Sequence, residues 1–185
     1  TIRANLGAYC SQAGPMIPWF GACMTTGCYD VGIAYVDVEM VVTNTVPVDA
    51  YRGAGRPEAA YLVERLMDKA AMQLGISPIE IRRRNFIRPE QFPYQTPTGR
   101  AYDSGEYTRL MDAALERADW DGFEGRRAES AARGRLRGIG MSYYVEICSA
   151  MGGENTYVRF EPDGRVTVLM GTQASGQGHE TSYAQ

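Results

Sequence analysis

The sequence predicts an α+β fold, with mixed sheets and packed helices. Three observations predict it. Runs at 1–9, 31–42, 156–160 and 165–170 are rich in β-branched and aromatic residues, as strands are. A long amphipathic helix begins at Pro57, with Leu62, Val63, Leu66, Met67, Ala70, Ala71 and Leu74 recurring at helical spacing as a core stripe. Glycine-dense turns stand between extended and helical segments.

In order along the chain, residues 1–9 read as a strand. Residues 11–30, rich in Gly, Pro, Met and Thr, read as a loop. Residues 31–42 alternate imperfectly and read as a strand. Val46 and Val48 lead into the turn Ala50-Tyr-Arg-Gly-Ala-Gly-Arg-Pro57. Pro57 suits a first helical turn, Glu58 complements the helix dipole, and Gly75 stops the helix. Ser77-Pro-Ile-Glu80 is a capping-box pattern that opens a short second helix. Pro89, Pro93, Pro97 and Gly99 then interrupt helix formation, which places a unit at 1–88, a linker at 89–103 and a second unit at 104–185. Ser104 caps a helix to about Arg117, with Leu110, Met111, Ala114, Leu115 and Ala118 on one face. Residues 123–134 are charged and form an exposed helix or loop, and 136–148 read as a strand. Pro162-Asp163-Gly164 between two strand-like runs signals a β-hairpin.

The chain has 185 residues, 44% hydrophobic and 22% charged, with a net charge of -3. That balance suits a soluble globular protein and disfavours nonspecific nucleic-acid binding. The basic clusters Arg82–Arg84 and Arg133, Arg135, Arg137 read as solvated or structural. No apolar run reaches membrane-span length, and no signal peptide opens the chain, although a fragment would have lost one. Cys10, Cys23, Cys28 and Cys148 fit neither a zinc site nor a disulfide framework. Free thiols in a reducing cytoplasm are the default, with a Cys23–Cys28 pair as the alternative.

Two glycine turns carry the functional signal. Arg52-Gly-Ala-Gly-Arg-Pro-Glu58 fails as a dinucleotide fingerprint, because Glu58 stands at the third glycine position and repels a pyrophosphate. It remains either a helix-entry turn with an exposed arginine or a device that lets Arg52 reach an oxyanionic group. Gly171 to Gly176 has P-loop spacing, but Gln177 replaces the lysine that nucleotide phosphates need. His179, the only histidine, reads as a hydrogen-bonded cap or core residue ahead of a ligand or base. No nucleophile elbow accompanies it.

Together these pieces resemble the molybdopterin-binding large subunit of the molybdenum hydroxylases, the xanthine dehydrogenase, aldehyde oxidase and aerobic carbon monoxide dehydrogenase family. The resemblance rests on Ala50-Tyr-Arg-Gly-Ala-Gly-Arg-Pro-Glu-Ala59 and Gly176-Gln-Gly-His-Glu-Thr181. It is supported by Glu80–Ile87, Tyr102–Tyr107 and Tyr144-Val-Glu146, in order along essentially the whole chain.

The resemblance implies parts of two molybdopterin-binding domains. They would serve a molybdenum–molybdopterin cofactor, in bacteria often the cytosine dinucleotide form. Such enzymes hydroxylate an aldehyde or N-heteroaromatic carbon with oxygen from water. Electrons pass to 2Fe-2S and FAD on partner subunits. It places Arg52 near the substrate and Gly53, Ala54 and Gly55 as the wall by the metal, with Ala54 toward the pocket. Gly176, Gln177 and Gly178 would contact the pterin or the oxo face of the molybdenum. His179, Glu180 and Thr181 would continue that loop, with Thr181 a phosphate contact. No side chain of this chain is expected to ligate the metal. The family's general-base glutamate lies beyond this chain, and neither Glu146 nor Glu180 matches it. The copper-binding cysteine of true carbon monoxide dehydrogenases is absent from Gly53-Ala54-Gly55. The chain is therefore expected to be a copper-ligand-lacking fragment, inactive alone or one chain of a split subunit, partnered by the remainder of the large subunit and by iron–sulfur and FAD subunits. Carbon monoxide oxidation and a noncatalytic assembly module of the same fold are the alternatives.

Overall fold

The computed structural model describes residues 1–146, 153–172 and 174–185. The chain packs as two compact units, Thr1–Glu146 and Ile147–Gln185.

In the first unit β1 (Ile2–Asn5) pairs in parallel with β2 (Val38–Val41), with Ile2 opposite Val38 and Asn5 opposite Val41. A parallel pair needs a crossover connection, and α1 (Met16–Cys23) lies in it. The expected loop at 11–30 is thus half helix: its prolines and glycines masked the apolar run Met-Ile-Pro-Trp-Phe. The strand expected at 31–42 is confined to β2, because only those residues find a ladder partner among the described residues.

The long helix forms as expected. α2 (Arg56–Leu74) starts after Gly55, carries Pro57 in its first turn and stops at Gly75, which is left-handed at φ 65°. Its core stripe is narrower than expected. Ala59 and Ala71 are buried and Val63 and Met67 half-buried, but Leu62 and Leu66 remain exposed. The face meeting the core runs instead through Glu64. α3 (Pro78–Asn85) is capped by Ser77, whose Oγ accepts from the Ile79 N–H at 3.1 Å. The other half of the expected capping box is not made, because the Glu80 carboxylate turns to Arg84 at 2.5 Å.

Residues 89–103 contain a 3₁₀ turn at Pro89–Gln91 and a two-stranded ribbon, β3 (Tyr94–Gln95) and β4 (Ala101–Tyr102). They belong to the first unit and are fastened to its N-terminal part: the Thr98 hydroxyl donates to Cys23 O at 2.7 Å and the Tyr102 hydroxyl to Gly27 O at 2.9 Å. α4 (Tyr107–Arg117) begins after Glu106 without a side-chain cap, so the expected Ser104 cap is not formed. Its inner face is Tyr107, Met111 and Leu115, whereas Leu110 is exposed. α5 (Phe123–Ala132) resolves the charged stretch as a helix. Of the strand expected at 136–148, residues 136–146 form none; Ile147 and Cys148 lie outside the described residues.

The core of this unit is aromatic. Phe86 stacks on Tyr29 at 5.7 Å and meets Tyr143 at 4.7 Å, and Tyr107 packs edge-on against Phe86 and Phe92. Cys28 and Met111 fill the space between them without exposure. In the second unit β5 (Thr156–Phe160) and β6 (Val166–Met170) form the expected antiparallel hairpin, followed by the short α6 (His179–Ser182).

Candidate functional site

Three consecutive left-handed residues build the first glycine turn: Gly53 at φ 101°, Ala54 at φ 39° and Gly55 at φ 88°. Ala54 bears a Cβ in a region that costs about 1–2 kcal/mol for such residues. Strain of this kind concentrates at functional sites. The turn is held by Ala54 N–H donating to Tyr51 O at 2.8 Å and by Arg56 N–H donating to Gly53 O at 3.2 Å. It is wedged against α1: a Cβ at Gly55 would lie 2.6 Å from Gly21 N and closer still to Ile17 O. A Cβ at Gly21 would meet Gly55 O at 2.9 Å. Only glycine at both positions permits this approach. Arg52 stands exposed at the turn, Gly55 is buried, and a cleft of about 430 Å³ opens beside Gly55, Gly21, Asp49 and Glu58.

Arg56, which the sequence did not single out, holds the turn from inside. One Nη donates to Gly53 O at 2.7 Å, Nε donates to the Glu146 carboxylate at 2.9 Å, and the guanidinium lies 5.4 Å from the Phe20 ring centre.

A second unforeseen feature lies behind the turn on α2. Glu64 is buried, and its carboxylate accepts from the Tyr29 hydroxyl, from Arg82 Nε at 2.9 Å and from the Tyr143 N–H at 2.8 Å. Arg82, fully buried, also reaches Asp68 at 3.0 Å and Pro78 O at 2.9 Å. Of the basic cluster on α3, Arg82 is thus structural, while Arg83 and Arg84 form surface pairs with Asp112 and Glu80. Burial opposes the Arg82 charge, but Glu64, Asp68 and Tyr29 together outweigh it and raise its pKa. Burial, then the Glu64 charge, pushes the Cys28 thiol far up. One signal could have found Glu64: it sits seven residues before Ala71, on the same helical face.

The second turn lies in the second unit. Gly176 (φ 92°) and Gly178 (φ 78°) are left-handed, and Gly178 leads into α6. A Cβ at Gly178 would meet nothing within 4 Å, so the backbone here faces open space. Gln177 Oε1 accepts from the Ser175 N–H at 2.6 Å, which folds the side chain back on its own loop. The His179 ring stacks on Tyr183 at 4.6 Å. Glu180 and Thr181 are exposed, and the Thr181 N–H donates to Gly178 O at 3.1 Å. The structure therefore gathers Arg52–Gly55 into one turn and Gly176–Thr181 into another.

Among the described residues no group of three His, Cys, Asp or Glu side chains could hold a metal ion. The second turn offers backbone N–H groups, the Gln177 amide, the Ser175 and Thr181 hydroxyls, the His179 ring and the Glu180 carboxylate. That set suits a large polar group held by hydrogen bonds. Cys10, Cys23 and Cys28 are free, and Cys148 lies outside the described residues. No helix among the described residues is long and apolar enough to cross a membrane.

Comparison with known proteins gives this geometry its context. Two molybdopterin cofactor-binding domain models match the chain, one over residues 1–86 and one over 113–185. The carbon monoxide dehydrogenase large chain of Afipia carboxidovorans is 38% identical over 100% of this chain and 25% of its own length. The nicotine 6-hydroxylase large subunit of Paenarthrobacter nicotinovorans is 36% identical over 90% of this chain and 22% of its own. The solved structure of quinoline 2-oxidoreductase from Pseudomonas putida 86 superposes with a TM-score of 0.83 at 34% identity, over 98% of this chain and 25% of that one. The chain thus spans about a quarter of the length of these relatives. It belongs to the molybdopterin-binding large-subunit family of the molybdenum hydroxylases.

Proposed function

We propose that this chain forms part of an oxidoreductase that hydroxylates an aldehyde or N-heteroaromatic carbon, the oxygen coming from water. The observation that carries this is the turn Gly53-Ala54-Gly55: strained, wedged on α1, and without a thiol. A cysteine there is what the resemblance assigns to copper in true carbon monoxide dehydrogenases. Nicotine 6-hydroxylase and quinoline 2-oxidoreductase are named for ring substrates and support the heteroaromatic reading.

In this reading Arg52 orients the substrate, because a guanidinium recognises polar groups with a fixed fork. Gly53, Ala54 and Gly55 form a wall with little side-chain bulk, and the small Ala54 leaves room for a ring. In the second unit the backbone of Gly176 and Gly178, with Gln177, holds the pterin cofactor, and Thr181 takes a phosphate oxygen. His179 and Glu180 carry that loop onward. Bound there, the molybdenum group supplies the two-electron oxidation. The cytosine dinucleotide form, 2Fe-2S and FAD on partner subunits, the remainder of the large subunit and a cytoplasmic location complete the proposal. The matched ranges support two cofactor-binding domains, at 1–88 and 104–185.

The test uses the complete native complex. Molybdenum per protein is measured, and turnover is compared on an N-heteroaromatic, an aldehyde and carbon monoxide. Stoichiometric molybdenum, turnover of a ring or aldehyde, and its loss in Arg52→Ala and Gln177→Ala are expected. Full activity in both variants, or turnover of carbon monoxide alone, overturns the proposal.

A further inference from the structure

We propose that Arg56 and Glu146 are positioning residues: they clamp the Gly53–Ala54–Gly55 turn, and the segment 141–146 lies as a strap along α2 to deliver Glu146. The functional side of this inference rests on the proposed role of that turn; the strap itself does not.

The strap has two anchors on α2, Glu64 and Arg56, and a further contact from α3. At its start, Arg82 Nη2 donates to Met141 O at 3.4 Å, and the Tyr143 N–H donates to Glu64 at 2.8 Å. At its end, Glu146 accepts from Arg56 Nε at 2.9 Å. Glu64 and Arg56 are both on α2, eight residues apart, which is about 12 Å of helix axis. Tyr143 and Glu146 are three residues apart, which is about 10 Å of extended chain. The two spans are similar, and pairing Tyr143 with Glu64 and Glu146 with Arg56 makes the strap run opposite in direction to α2. This explains why a sequence with strand character forms no strand here: its anchors are helix side chains.

The clamp works through direction more than strength. Glu146 is 37% exposed, and a pair with so much solvent on one side contributes little by itself. Arg56 is held on three sides, by Gly53 O, by Glu146 and by the Phe20 ring. The carbonyl of Gly53 precedes the strained Ala54. Fixing that carbonyl fixes the direction in which the peptide enters the left-handed residue, and thereby the wall it presents. Lysine has a point charge and no planar fork, so it does not reproduce this set of contacts.

The test compares Glu146→Gln, Arg56→Lys and Arg52→Ala in the complete native enzyme. Three quantities are read: backbone hydrogen exchange at residues 51–56, molybdenum per protein, and kcat separately from KM. Glu146→Gln is nearly isosteric at a half-exposed position, so the variant folds. Both clamp variants are expected to speed exchange at Ala54 and Arg56 by roughly threefold to tenfold. They should lower kcat with KM nearly unchanged and leave molybdenum content intact. Unchanged exchange in both overturns the clamp. Faster exchange with unchanged kcat, while Arg52→Ala abolishes turnover, overturns its positioning role. Faster exchange in both clamp variants with full turnover in Arg52→Ala upholds the clamp and removes the proposed role of the turn.

Discussion

Replacing Glu64 with leucine strips a buried charge of its one buried carboxylate partner among the described residues. The carboxylate takes one hydrogen bond each from the Tyr29 hydroxyl, Arg82 Nε and the Tyr143 N–H, and Arg82 Nη2 is ion-paired to it at 2.8 Å. Arg82 is fully buried, and the other carboxylate it touches among the described residues, Asp68, is one-third exposed. Removing one partner of such a pair costs about 3–5 kcal/mol. The Tyr29 hydroxyl and Tyr143 N–H add to this, but their losses overlap with it, so about 3 kcal/mol serves as a floor. At about 1.4 kcal/mol per tenfold, local opening becomes at least ~100-fold more frequent. Backbone hydrogen exchange of α3 and of α2 around residue 64 in the native protein reads that change. Glu64→Leu with Arg82→Met removes both charges and should be milder than Glu64→Leu alone. An acceleration of less than about threefold in the single variant, or a double variant as damaging as the sum of the two singles, refutes the reasoning.

Gly55→Ala should be far more damaging than Gly178→Ala. Both force a Cβ into left-handed backbone at about 1–2 kcal/mol, but only at Gly55 does the new atom strike α1, adding about 1–3 kcal/mol of overpacking; thermal unfolding of the two variants ranks them. Alkali should unfold the aromatic core cooperatively. Burial pushes the Tyr102 phenol up to about 12 and raises Tyr29, Tyr107 and Tyr143 as well. Because folded values lie above the unfolded ones, this stability is whole below about pH 10 and is lost as pH rises through the folded values. Phenolate absorbance should therefore rise together with loss of helix, and tyrosines that ionise well before unfolding would contradict it. Alkylation of the native protein should modify exposed Cys10 and spare Cys28, whose thiol is buried and hard to ionise; modification of both at equal rates would count against the burial described.

Features written in neighbouring residues were legible in the sequence. The hairpin around Pro162-Asp163-Gly164, the Ser77 cap and the Gly75 stop each depend on a handful of adjacent residues. Both glycine turns were found for the same reason: left-handed backbone leaves a compositional trace. What depended on distant partners was not legible. Glu64 looked like any charge on an amphipathic helix, because Tyr29, Arg82 and Tyr143 lie 18 to 79 residues away in sequence. Arg56 looked like a helix-entry residue until Gly53 O and Glu146 were seen around it. α1 was hidden because Pro15, Pro18 and Gly21 suggest a loop, whereas Gly21 is there to let Gly55 approach. Leu62 and Leu66 erred the other way, apolar by pattern yet exposed.

The eight-residue interval between Arg56 and Glu64 sets a rule for how this region tolerates change. A residue inserted between them would turn Arg56 by about 100° around the helix and move it about 1.5 Å along it. Glu146 would then face a different side of α2 and lose Arg56. Residues on the outer side of that interval, such as Tyr61 and Leu62, are exposed and free to vary in kind. Their number is fixed. Deep mutational scanning across 57–63 should therefore accept many substitutions and reject single-residue insertions and deletions.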